Sequence, residues 1–355
     1  VNYVSNKCIR QLGLLSKETL PGPGEISRRY LVGLSLGTSS SVLLHVLNEY
    51  ASNILAKGQR EPFQLCVVYV DTGMVADQAT PETLEILKTY EERYPRLKIE
   101  RIPLAAAIGL PTIDWSTLPS VSPGSDAGEQ LQHLLQQLPS PTSRTDMIRL
   151  FIRHILVSTA VRLRCQAVLF GHSTTALAET TLAETAKGKG FSLPWLINDG
   201  VLELPLIHQP SSEDGEGKLA MRIRYPLREL FRKELITYAT LTEPKLADII
   251  PANESSGAGA VVSHRDLSID EVMTRYFHDV EDNYPSVVAN VVRTTAKLDR
   301  VSAANDNGQG PCVVCSMPLD EQGDERWEGE IGRDDLSTVD IKRRLCYGCR
   351  RSIQG

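Results

Sequence analysis

The sequence predicts an α/β protein: a parallel sheet with helices on both faces, plus a small metal-binding module at the C-terminal end. Three observations carry this expectation. Short apolar runs alternate with segments of helical periodicity from residue 31 to about residue 225. The first run ends in a loop of small residues, Ser35-Leu36-Gly37-Thr38-Ser39-Ser40, that opens directly into a helix. Two Cys-x-x-Cys pairs, Cys312/Cys315 and Cys346/Cys349, stand near the end.

Residues 1–16 carry Tyr3, Val4, Ile9, Leu12 and Leu15 at helical spacing, and Pro21-Gly22-Pro23-Gly24 then breaks the chain. Residues 31–34 form a buried strand. Residues 40–50 are helical, with Val42, Leu43, Val46 and Leu47 as the apolar stripe. A second strand at 65–70 ends in Asp71-Thr72-Gly73. The helix at 81–94 starts on Pro81, whose missing N–H is no loss there. A third strand at 97–104 precedes a Pro-, Ser- and Gly-rich loop at 111–128. Helices at 128–138 and 144–164 lead to a fourth strand, 167–170, ending in Gly171-His172. A helix through Leu177 and Leu182 follows. Residues 201–206 and 221–225 are extended, and 229–241 are helical. Residues 251–266 are small and polar and read as a loop, and helices at 268–282 and 286–302 close the domain. The expected organisation is an N-terminal helix and linker at 1–24, an α/β domain at 25–304 and a metal module at 305–355.

Composition narrows the function classes. The 355 residues are 41% hydrophobic and 23% charged, which is ordinary for a globular chain. No apolar run is long enough to cross a bilayer. The net charge of −6 argues against indiscriminate nucleic-acid binding but leaves room for local basic patches. Four of the seven cysteines sit in the two pairs, a pattern that suits a metal in a reducing compartment better than a disulfide framework.

Ligands of a parallel sheet bind at the C-terminal ends of its strands, where the loop at 35–40, Asp71 and Gly171-His172 all fall. Small side chains let a phosphate approach the backbone, and a helix start offers N–H groups and the positive end of the helix dipole. The candidate nucleotide-binding residues are therefore Ser35, Gly37, Thr38, Ser39, Ser40, Asp71, Gly171 and His172. An ordinary Ser-capped strand-to-helix turn explains each local pattern equally well. The loop lacks the Gly-Lys-Ser/Thr of a Walker A loop.

The loop resembles the PP-loop of the ATP pyrophosphatase superfamily, whose pattern is Ser-Gly-Gly-x-Asp-Ser. Leu36 stands for a glycine and Ser39 for the aspartate that handles magnesium and pyrophosphate, which counts against ATP chemistry. Gly171-His172-Ser173-Thr174-Thr175-Ala176-Leu177-Ala178-Glu179 is similar to the Gly-His-Asn-x-Asp-Asp-x-Ala-Glu of tRNA-thiolating PP-loop enzymes, with Thr175 and Ala176 in place of the acidic pair. Gly188-Lys189-Gly190 resembles a Gly-Arg-Gly element of the same enzymes. Their two sulfur-handling cysteines have no counterpart near residues 143–146 or 225–230. Cys66 and Cys165 flank or lie in strands and read as core thiols.

Cys312, Cys315, Cys346 and Cys349 read as a structural zinc site, each pair gripping the ion from one side. Basic clusters stand at Arg149 and Arg153, at Lys187 and Lys189, and at Lys342, Arg343 and Arg344. A solvated face is the ordinary explanation of such clusters. Beside a metal module they favour contact with a phosphate backbone, and the resemblance to tRNA-thiolating enzymes makes these seven residues the candidate tRNA contacts.

Taken together the chain resembles the cytoplasmic tRNA 2-thiolation protein 2 family, degenerate paralogues of the thiolating enzymes. Val1-Asn2-Tyr3-Val4-Ser5-Asn6-Lys7 resembles the helix that follows an N-terminal cysteine cluster in that family, so sequence before Val1 is expected. The resemblance implies a cytoplasmic, catalytically degenerate subunit of a tRNA sulfurtransferase complex. It implies a heterodimer with the catalytic cytoplasmic tRNA 2-thiolation protein 1, tRNA as ligand, and a thiocarboxylated ubiquitin-related modifier as sulfur donor. Two other readings stay open at this point: an active ATP-dependent tRNA-adenylating sulfurtransferase, and a structural zinc-ribbon interaction protein without tRNA contact.

Overall fold

The computed structural model describes residues 1–20, 27–73, 80–119, 126–207, 217–251, 267–300, 311–319 and 345–355. The sheet is built from β1 (Arg28–Gly33), β2 (Phe63–Asp71), β3 (Ile99–Pro103), β4 (Ala167–Leu169), β5 (Gly200–Pro205) and β6 (Lys218–Arg224). Their order is β3-β2-β1-β4-β6-β5. Every neighbouring pair is parallel except the edge pair, where β5 runs antiparallel to β6. The expected parallel sheet thus carries one reversed edge strand. Among the described residues no helix lies between β5 and β6, whereas the parallel neighbours β1/β2 and β2/β3 are linked by crossover helices at Thr38–Ala56 and Pro81–Arg93.

Helices cover both faces because β1 and β4 are apolar on both. Tyr30, Val32, Ala167 and Leu169 point to one side, onto α1 (Asn2–Glu18), α2 (Thr38–Ala56) and α8 (Arg232–Leu241). On α1 the buried residues are Val4, Cys8, Leu12 and Leu15, the single stripe that the sequence pattern predicts. Leu31 and Val168 point to the other side. There they meet α5 (Pro141–Arg162), which supplies Met147, Phe151, Ile155 and Leu156. The helix α3 (Pro81–Arg93) covers β2 and β3 through Leu87 and Tyr90.

The remaining helices are α4 (Ala127–Gln137), α6 (Thr174–Ala186), α7 (Leu193–Ile197), α9 (Ile269–Asn283), α10 (Pro285–Thr295) and α11 (Tyr347–Gln354). Several boundaries move for local reasons. α5 starts at Pro141 rather than 144, with residues 138–140 between it and the end of α4 at Gln137. Ser140 caps α5, its hydroxyl accepting from Ser143 N, and Pro141 is the first helical residue. α9 starts on a capping box of Ser268 and Glu271. α8 starts at Arg232 rather than 229, and α10 stops at Thr295 rather than 302. The short helices α7 and α11 were not expected. Of the loop expected at 251–266, all but residue 251 lies outside the described residues, as does most of 305–344.

Cys312, Val313, Val314, Met317, Leu345, Cys346 and Cys349 are buried in the same apolar cluster as Phe151 and Ile155 of α5. A backbone bond from Asp114 N to Val313 O, 2.9 Å, adds a polar tie. Among the described residues no helix is long and apolar enough to cross a membrane.

Candidate functional site

The order 3-2-1-4 reverses direction between β1 and β4, and the crevice beyond their C-terminal ends is the ligand position of such sheets. Two loops meet there. Residues 34–37 connect β1 to α2, and residues 170–173 connect β4 to α6. A Cβ at Gly171 would stand 2.7 Å from Ser40 Cα and 2.8 Å from Ser40 N, so only glycine allows this approach.

The first loop is closed by its own hydroxyls. Ser35 N donates to Ser40 Oγ at 3.2 Å, and the two hydroxyls are 3.0 Å apart. Ser40 Oγ also donates to Gly37 O at 3.0 Å, and Gly37 N donates to Ser35 Oγ at 3.4 Å. Gly37 is the N-cap of α2, with no side chain capping the helix; Thr38 and Ser39 begin it. Leu36 takes a left-handed backbone, φ +64°, a conformation costing a non-glycine residue about 1–2 kcal/mol. Its side chain does not narrow the mouth of the loop. It is buried with Leu34, Leu44 and Tyr90 under α3.

Asp71 ends β2 and is buried. One carboxylate oxygen accepts from Gly73 N at 2.9 Å, and the other pairs with Arg101 Nε of β3 at 2.9 Å. His172 is half-buried and meets Phe170 and Tyr225 edge-on, ring centres 5.7 and 5.3 Å away. Burial, with the nearby Arg149 and Arg153 charges, pushes its imidazole down to about 4, so it is neutral at physiological pH. Arg153 lies over Phe170 and donates to Trp195 O at 2.9 Å. Arg149 is half-exposed and paired with Asp270.

The positions of the expected acidic pair are Thr175 and Ala176. Thr175 is fully buried at the start of α6. Its hydroxyl donates to Glu281 of α9 at 2.6 Å and accepts from Arg232 N at 3.0 Å. Glu281 also accepts from Lys233 N at 2.8 Å, so Thr175 and α9 together cap α8. Glu179 pairs with Arg232 at 2.7 Å.

Of Lys187 and Lys189, expected among the basic contacts, Lys187 is buried and Lys189 is largely covered, its side chain 13% exposed. Lys187 Nζ reaches Asp146 at 2.6 Å, Glu184 at 2.7 Å and Asp270 at 3.2 Å. Lys189 Nζ reaches the second oxygen of Asp146 at 2.7 Å, which Ser352 Oγ of α11 also approaches at 3.0 Å. Burial works against both lysine charges, and the surrounding anions outweigh it and hold them protonated above the usual lysine range. Burial likewise pushes Asp146 up, but Lys189 and Lys187 outweigh it and hold the carboxyl below its ordinary value. This cluster was not anticipated, because its members lie at 146, 184, 187, 189, 270 and 352. Of its members, Lys187 and Lys189 are expected from the sequence only as basic contacts. Lys342, Arg343 and Arg344 lie outside the described residues.

The four expected metal ligands do come together. The Sγ atoms of Cys312, Cys315, Cys346 and Cys349 all lie within 4.8 Å of one another, and Cys315 and Cys346 are 3.7 Å apart. Thiolates around one tetrahedral ion with bonds of about 2.3 Å sit about 3.8 Å apart. The geometry therefore fits a single thiophilic ion, and it is tighter than a multi-iron cluster needs between its thiolates. Cys8 and Cys165 are buried and Cys66 is half-buried, away from this group, as core thiols.

Comparison with known proteins agrees with this picture. A family model described as cytoplasmic tRNA 2-thiolation protein 2 matches residues 268–343. Cytoplasmic tRNA 2-thiolation protein 2 of Phaeosphaeria nodorum is 36% identical over 99% of this chain and 87% of its own length. The Pyrenophora tritici-repentis protein of the same name is 33% identical over 99% and 88%. Among solved structures, the U34-tRNA thiolase NcsA from Methanococcus maripaludis with its [4Fe-4S] cluster superposes with TM-score 0.51 at 15% identity. That match covers 89% of this chain and 86% of the other, and it shows a shared fold. With that level of identity over nearly its whole length, the chain belongs to the cytoplasmic tRNA 2-thiolation protein 2 family.

Proposed function

We propose that the chain works in 2-thiolation of the tRNA wobble uridine as the non-catalytic subunit of a cytoplasmic complex. In this reading it scaffolds the catalytic paralogue, cytoplasmic tRNA 2-thiolation protein 1, and binds tRNA Lys, Glu and Gln. Sulfur comes from a thiocarboxylated ubiquitin-related modifier and is transferred on the partner. The family name and the shared fold support involvement in tRNA thiolation. The degenerate crevice carries the division of labour. Ser39 stands where the loop aspartate belongs, and Thr175 is committed to Glu281 and Arg232 N. Cys66 and Cys165 lie within or before strands rather than at their C-terminal ends, so no thiol among them is placed as a sulfur carrier.

The four cysteines hold structural zinc in this account. Zinc would fasten the segments around Cys312 and Cys346 to each other and to α5, and it supplies folding energy rather than chemistry. Arg149 on the exposed side of α5 and the Lys342, Arg343, Arg344 run are the proposed tRNA contacts. Lys187 and Lys189 are left to structure by their burial.

Reversing the charges of Lys342, Arg343 and Arg344 to Glu tests the tRNA part. The expected result is at least a tenfold loss of tRNA affinity and a shallower salt dependence, with the heterodimer intact. Unchanged affinity in this variant and in Arg149→Ala would favour a structural interaction protein instead.

A further inference from the structure

We infer that Lys189 is the counter-cation and positioning residue of the four-cysteine metal site, linking that site through Asp146 to the buried charges between α5 and α9. The inference rests on the cysteines holding a divalent ion and is independent of the tRNA reading. Four thiolates around a divalent ion carry a net charge of about −2, and a buried charge of that size needs a nearby cation.

Lys189, largely covered, is the lysine built against the second pair. Gly348, inside Cys346-Tyr347-Gly348-Cys349, leaves no room for a Cβ because the Lys189 stem passes there. Gly188, at φ +73°, is likewise pressed against the Tyr347 ring, where a Cβ would overlap it. The turn at 188–189 and the turn at 347–348 therefore interlock, and two glycines are what make that possible. The Lys189 ammonium sits where Asp146 Oδ2 at 2.7 Å and Ser352 Oγ at 3.5 Å hold it. Ser352 closes the triangle by donating to the same Asp146 oxygen at 3.0 Å. Outer partners of this kind orient metal ligands and tune their affinity, and losing one costs roughly 10–100-fold.

The test is zinc retention by the full chain against a competing chelator, read together with thermal stability. Lys189→Met is expected to release zinc at least tenfold faster than the parent. It also leaves Asp146 short of a partner, so lost stability alone could explain faster release. The double variant Lys189→Met/Asp146→Asn removes both charges. The inference expects it to regain most of the lost stability while still releasing zinc fast. Asp146→Asn alone leaves the Lys189 stem against Gly348, with Lys187 still held by Glu184 and Asp270, and is expected to retain zinc despite reduced stability. Parental zinc retention in Lys189→Met, or recovery of retention and stability together in the double variant, overturns the inference. So does zinc loss by Asp146→Asn in proportion to its lost stability, or a purified chain that holds no ion. None of these outcomes bears on tRNA binding.

Discussion

The β1–β4 crevice and the cysteine site have kept opposite things. The crevice keeps the backbone of a phosphate site, with a tight loop, a helix start and Gly171 packed on Ser40, yet its polar side chains bond one another. The cysteine site keeps every donor, with four thiols within 4.8 Å brought from segments thirty residues apart. A site survives as chemistry only where side chains stay uncommitted. Backbone geometry alone survives because the fold needs it.

The predictions that sharpen this contrast run from the metal side to the crevice side. Cys349→Ser removes one ligand from a buried site and should abolish zinc binding. Metal analysis should read no ion, and the melting temperature should fall by roughly 5–10 °C. Asp146→Ala removes the carboxylate that Lys187 and Lys189 share, leaving Lys187 on Glu184 and Asp270, and should cost about 1.5–3 kcal/mol in urea unfolding.

The same cluster sets a pH window. Asp146 is held below its unfolded value, so its contribution is full above about pH 4 and is lost as pH falls through the folded value. Lys187 and Lys189 are held above theirs, so their contribution is full below about pH 10 and is lost as pH rises beyond that. Stability measured against pH should fall at both ends, and Asp146→Ala should flatten the acid limb.

At the crevice, Gly171→Ala forces a Cβ onto the backbone of α2, which cannot swing aside, and should cost about 1–3 kcal/mol. Ser39→Asp should change stability by about 0.5 kcal/mol or less and should not restore ATP binding by calorimetry. Binding restored by that one change would mean the loop had lost only its aspartate.

Much of the fold was legible because its signals are local. The periodicity of Val4, Leu12 and Leu15, the strand apolarity around Leu31 and Val168, and the cysteine spacing each need only a short window. The reversed β5 was not legible, since periodicity marks a strand without giving its direction. Nor was the burial of Lys187 and Lys189. Gly188-Lys189-Gly190 looks like an exposed basic turn, and what buries it is Asp146, Asp270 and Tyr347, all more than 35 residues away in the chain. The direction of the Leu36 side chain is not legible for the same reason: it turns into the α3 core, a fact set by Tyr90 and Leu87 rather than by its neighbours.

The measurement that tests the account most directly is wobble-uridine thiolation with tRNA, ATP and a sulfur donor, run with the purified chain alone and with its catalytic paralogue. The account predicts thiolated tRNA only when both subunits are present. Thiolation by this chain alone would contradict it, and would mean that the self-bonded loop at 35–40 opens to work on ATP.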